Sequence, residues 1–373
     1  MTKKKILLAA AAGLLLHTAE AQLDSIKQQF IHVPFRIAIV PGLSSQGKED
    51  INTTSNMSLN VYGGQTGSVN GVELGSLFNI NKRNAQYVQA AGLFNLVGGY
   101  TRGVQLAGLF NSVQEQVTGV QYSGLINYVG KNFIGVQGSG LHNHTAGKFQ
   151  GIQSAGISNY AGGKVQGIQM AGIVNIAVHQ VTGVQASGIL NYTRHLKGLQ
   201  IGLINIADTS DGFSLGIINI VRKGYHKVTI SSNEVLHATL AVKTGNSKLY
   251  NILLAGVNTG KDDKAFSFGF GIGHERKLGN RFTVNPELTT QYLYLGNWHY
   301  HNQLSRLQLL GTVKLGKGIA LFAGPVYSVY YSNQPSAVKG YKFDIANDGY
   351  LVSELWNNNV HGWLGWTAGI SLF

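Results

Sequence analysis

The sequence predicts an all-β fold: an antiparallel transmembrane β-barrel built largely from 16-residue strand–turn repeats. The alternative is a parallel β-solenoid repeat domain followed by a smaller β-barrel. Three observations carry the prediction. The pattern Gly-[Val/Ile]-Gln-x-[Ala/Ser]-Gly-[Leu/Ile]-x-Asn opens at Gly103, Gly119, Gly135, Gly151, Gly167 and Gly183, always 16 residues apart. The ten-residue cores that begin at these glycines, and at Tyr87 one period earlier, contain no Asp, Glu, Lys or Arg. Finally, 50 of 373 residues are glycine, only 12% are charged and 5 are proline. That balance excludes a disordered chain, which would be rich in charge and proline.

Taken in chain order, residues 1–21 read as a signal peptide. Lys3, Lys4 and Lys5 form a basic start, Ile6 to Leu16 an apolar stretch of 11 residues, and Ala19 and Ala21 a cleavage site before Gln22. Eleven residues are too few for a membrane-spanning helix, which needs about 20. Residues 22–70 are a lead-in with the first strands, and 71–220 are the repeat region. A degenerate copy opens at Gly71, and shortened copies follow at Gly198 and Gly212. The absence of cysteine excludes a disulfide scaffold, a zinc ribbon, a thiol enzyme and a cysteine-linked lipid anchor.

Within a copy the residues alternate, which is the signature of a strand. In the copy at 119, one face carries Gly119, Gln121, Ser123, Leu125 and Asn127, types that recur in the other copies. The other face carries Val120, Tyr122, Gly124, Ile126 and Tyr128, and varies while staying mostly apolar or aromatic. Charge is confined to the connectors, as at Arg102, Glu115, Lys131, Lys148 and Lys164. Charge-free strands of about ten residues joined by polar turns suit a membrane barrel with the varied face toward lipid. A solenoid accounts better for the strict period and the recurring Gln and Asn, which it would stack in ladders. A uniform register also gives a barrel no stagger, and closure needs one.

Residues 221–373 lose the repeat but keep the strands. Phe266, Phe268, Phe270 and Ile272 alternate with Ser267, Gly269, Gly271 and Gly273. Arg276 to Arg281 reads as a turn, Lys314 to Gly318 as another, and 297–304 and 331–361 as exposed loops. Joined to the repeats, these strands would make one barrel of roughly 18 to 20; alone they make about eight. The run of GVQx[AS]G[LI]xN copies behind a signal peptide resembles uncharacterised bacterial surface-repeat proteins with an outer-membrane barrel-like carboxy terminus. That resemblance implies location rather than activity.

The functional expectation is an integral outer-membrane protein of a Gram-negative bacterium, without enzymatic activity. It would act as a passive pore for small polar solutes, with a structural or adhesive surface-repeat protein as the alternative. The expected lumen lining is Gln105, Gln121, Gln137, Gln153, Gln169 and Gln185, with Asn111, Asn127, Asn143, Asn159, Asn175 and Asn191. No catalytic, cofactor or metal site is expected. His142 and His144, and His299 and His301, lack the further ligands a metal needs, and Ser305 near His301 lacks an orienting acid. The expected partners are outer-membrane lipids or lipopolysaccharide, met by connector lysines, and the barrel assembly machinery. The net charge of +13 is too dispersed for nucleic-acid binding.

Overall fold

The computed structural model describes residues 31–373 apart from 262, 317, 344, 346–349 and 355–358. The expected signal peptide and Asp262 lie outside them. The repeats do not form barrel walls. Each 16-residue unit closes one turn of a parallel β-solenoid, about 10 turns long, and a closed eight-stranded antiparallel barrel follows. The single barrel built from repeats is thereby corrected to its alternative.

Each turn of the solenoid holds a seven-residue strand such as Val117–Ser123 and a four-residue strand such as Ile126–Val129. A tight corner at Gly124-Leu125 joins them on one edge, and a polar turn at 130–132 leads to the next coil. Gln121 pairs with Gln137 and Asn127 with Asn143, parallel and in register. Like therefore stacks on like through the regular coils, and the missing stagger ceases to be a difficulty. Two glycines of the motif follow from this stacking. Gly119 has φ 133°, a conformation nearly closed to other residues. At Gly124 a Cβ would stand 2.1 Å from the Gly108 carbonyl oxygen.

The polar-turn end of each coil is filled by an apolar column that includes Val113, Val117, Val129, Phe133, Phe149 and Ala161. Coils begin before the recognisable repeat: Ile31–Val40 pairs in parallel with Thr53–Asn60, and that strand with Ser68–Gly75. Arg36 is buried in this first coil with all its donors engaged. It binds Asp50 at 2.7 and 2.9 Å, Ser58 Oγ at 2.9 Å, Asn60 Oδ1 at 2.7 Å and the Gln65 carbonyl at 2.8 Å.

The barrel comprises Tyr225–Asn233, Ala238–Gly245, Tyr250–Gly260, Asp263–Gly273, Phe282–Tyr294, Asn302–Lys314, Ile319–Ser332 and Val360–Leu372. Each strand pairs antiparallel with the next, and the first pairs with the last, Ile230 opposite Ile370, which closes the wall. The turn read at Arg276 to Arg281 tightens to residues 278–281, because Arg276–Lys277 pair as a short strand with Val284 and Thr283, and Lys314, read as the start of the second turn, closes a strand. Of the expected loops, 297–304 is a loop only to residue 301, since Asn302 opens a strand; 331–361 begins inside Ile319–Ser332 and holds Tyr350–Glu354, a short strand beside the last one.

Candidate functional site

The twelve amides expected to line a lumen lie instead inside the coil, none more than 1% exposed. They form two ladders. Asn127 donates through Nδ2 to Asn143 Oδ1 at 2.9 Å and to the Gly138 carbonyl at 2.7 Å. Gln137 donates through Nε2 to Gln121 Oε1 at 2.9 Å, so the glutamine row points the opposite way along the solenoid. Both rows end on built partners. Gln89 donates to Glu73 Oε2 at 2.8 Å, putting a carboxylate at the accepting end of the glutamine row. Burial pushes the Glu73 carboxyl upward, against hydrogen bonds from Gln89, Asn81 and Asn60 and the nearby Arg36 charge. The asparagine row runs from Asn60 to Asn219, which donates to Asn251 Oδ1 of the barrel at 2.6 Å.

Alternation in the barrel is inverted relative to a water-soluble protein. Phe266, Phe268, Phe270 and Ile272 face outward with Leu253, Leu307 and Leu309, all exposed, whereas Thr289, Gln291, Arg306, Gln308 and Thr312 are buried inside. Three ion pairs lie in the lumen: Arg306 with Glu234 at 3.0 Å, Lys243 with Glu287, and Lys227 with Glu275. Glu234 also accepts from Trp363 Nε1 at 3.2 Å and Ser328 Oγ at 3.3 Å. One mouth is filled by an apolar cluster of Val235, Leu236, Leu293, Leu304, Tyr330 and Trp363. At the other, Tyr225 stacks on Tyr250 at 4.4 Å. Between them lies a pocket of about 30 Å³, lined by Lys243, Glu287, Arg306 and Gln308 among others, room for a few waters.

Aromatic rings gather at the cluster-filled rim, where Trp298 packs on Tyr292 at 5.6 Å and Tyr294 at 4.5 Å. His301 there shares a hydrogen bond with Gln303 at 3.0 Å, and Ser305 faces Thr290 Oγ1 at 3.2 Å rather than a histidine. His144 is sandwiched between Tyr128 and Tyr160 at 5.0 and 4.7 Å, and His142 meets Ser158 Oγ at 2.8 Å. These rings belong to stacked rows of equivalent positions. Among the described residues no three His, Cys, Asp or Glu are grouped to hold a metal, and no helix is long and apolar enough to cross a membrane. No family model matches the chain, and neither does any curated protein or solved structure.

Sequence reasoning missed Arg36, Glu73, Glu234 and Asn251. For two of them a signal existed. Glu73 occupies the glutamine place of the degenerate copy at Gly71, and Arg36 is a lone cation in an apolar strand. Nothing local marks Asn251 as the residue that receives the ladder.

Proposed function

We propose that this chain is an integral outer-membrane protein whose barrel is an anchor and whose solenoid is a rigid structural arm. It has no transport or catalytic role. The observation that carries the reading is the barrel's inverted wall around a filled lumen. An apolar exterior with ion pairs inside suits lipid outside and side chains within. An eight-stranded barrel has an interior about wide enough for its own side chains. The resemblance to surface-repeat proteins and the expected signal peptide agree with this assignment.

The arm suits a structural role for a physical reason. Parallel in-register pairing and two amide ladders make each coil depend on its neighbours, which gives stiffness over many turns. Broad binding loops of the kind adhesion uses are absent from the described coils, whose turns span a few residues. The test is reconstitution of the full chain into vesicles and planar bilayers. Resistance to alkaline extraction without conductance steps is expected. Stepwise conductance from folded protein would restore the pore, and release by alkaline carbonate would remove the anchor.

A further inference from the structure

The solenoid has two edges of opposite character. Along the Gly-Leu corners runs one Leu or Ile per coil from Leu77 to Ile217, ten residues between 37% and 54% exposed. Backbone hydrogen bonds link successive members from Leu77 to Ile189, as from the Leu109 N–H to the Leu93 carbonyl at 2.8 Å, and Ile204 and Ile218 donate to the Ile189 and Leu203 carbonyls beyond. Nine coil steps of ~4.8 Å make it roughly 43 Å long. Outward side chains on both flanks extend it, among them Leu106, Tyr122, Ile126 and Met170, each at least 39% exposed. The opposite edge is formed by the polar turns and carries the charges, such as Glu115 and Lys131, which pair at 2.8 Å in the open. An apolar surface this long, on a protein facing only water, far exceeds what a monomer ordinarily exposes.

The junction with the barrel shows which way each edge points. At the corner edge, Asn251 donates through Nδ2 to the carbonyls of Gly216 and Ile217, the last ridge residue. Along that same barrel strand the next outward residue is Leu253, part of the apolar belt. At the polar edge, Asn246 donates to the Gly212 carbonyl at 2.6 Å, and Lys248 to the Asp211 carbonyl at 2.9 Å. Residues 246–249 form the turn at the barrel rim. In order along the barrel wall, the charged edge therefore sits level with the rim turn. The apolar ridge sits one step closer to the belt.

We propose that the solenoid lies along the surface of the membrane that holds the barrel, its Leu/Ile ridge immersed in lipid and its charged turns in water. The partner is a lipid bilayer, recognised by apolar contact along the ridge. The ridge is continuous with the barrel's belt at Asn251, so one lipid leaflet covers both. This inference rests on the reading of the barrel as membrane-embedded. The solenoid becomes a monotopic element, held as an interfacial helix is held but by stacked strands.

The test uses the full chain in vesicles of phosphatidylcholine containing brominated acyl chains, with an environment-sensitive fluorophore on one introduced cysteine at a time. The positions are Leu125→Cys on the ridge, Lys131→Cys on the charged edge and Phe268→Cys on the barrel belt, all exposed sites. The expected result is quenching at 125 to the same extent as at 268, with none at 131. Quenching at 268 but not at 125 overturns the inference while leaving the barrel in the membrane. No quenching at 268 removes the barrel reading itself, and the inference with it. Equal quenching at 125 and 131 means burial of the whole coil and also overturns it. Shielding of 125 from both brominated lipid and aqueous iodide marks a protein contact, which overturns it as well.

Discussion

Tyr87 holds φ 68° where the coils that follow place glycine at φ between 124° and 134°. Left-handed backbone costs an ordinary residue about 1 kcal/mol. Its ring is largely exposed, so little packing would be lost with it. Tyr87→Gly is expected to stabilise the solenoid by about 1 kcal/mol, read from the midpoint of denaturant unfolding. The histidines give a second prediction. Burial lowers the proton affinity of both His142 and His144, and the charge on His142 lowers that of His144 further. The unfolded chain then takes up protons first as pH falls below about 6.5. Their stabilising contribution is complete above that pH and is lost as pH falls through the depressed folded values. Melting at pH 5 should come at a lower temperature than at pH 7.5. The double variant His142→Ser, His144→Tyr, which copies the residues one coil later, should narrow the gap. An unchanged gap would place the acid sensitivity elsewhere.

A strand of the repeat shows what could and could not be read from residue order. Alternation assigned Gln121, Leu125 and Asn127 to one face and Tyr122 and Ile126 to the other; the structure keeps the amides inside and Tyr122 and Ile126 outside, but the Gly124-Leu125 corner breaks the alternation and turns Leu125 outward. What alternation cannot supply is the object that the inner face encloses. A strand with a polar face inward fits a barrel lumen and a coil interior equally well. The register decides between them, and sixteen-residue stacking of like on like has no room for barrel stagger. For the final strands no such ambiguity arises, and a turn within Arg276 to Arg281 and the outward row Phe266 to Ile272 were legible directly. The ladder makes each element dependent on its amides. Asn127→Ala removes two donated bonds and one accepted bond in a dry interior: the Gly138 carbonyl and Asn143 Oδ1 lose the Asn127 donor, and Asn111 keeps only its bond to the Tyr122 carbonyl. A loss of about 2–4 kcal/mol is expected, since a buried orphan costs about 1–3 kcal/mol. Asn127→Ala unfolding at the wild-type midpoint would mean that water enters the coil.

In the whole molecule, the barrel's two rims differ. The solenoid joins at the rim of the 246–249 turn and the final residues, whereas the segment that follows Ser332, described over 333–343, leaves from the other. Outer-membrane barrels keep short turns on the periplasmic side and long loops outside. A membrane-impermeant maleimide on intact cells should therefore label Trp298→Cys and spare Lys131→Cys; the reverse pattern would invert the orientation. A further expectation concerns length. Deleting residues 119–134 joins the coil at Gly103 to the one at Gly135 with Gln105 against Gln137, so the shortened arm should fold. Deleting only 119–126 sets amides against the apolar column and should yield protease-sensitive protein. Because every regular coil presents the same faces above and below, the gene inherits an unusual tolerance. An in-frame slip of sixteen codons during replication shortens or lengthens the arm by one coil, ~4.8 Å, with both ladders intact. A slip that does not remove or add a whole number of coils misaligns them at the break. Lineages could thus vary their reach along the membrane in whole steps while the anchor stays unchanged.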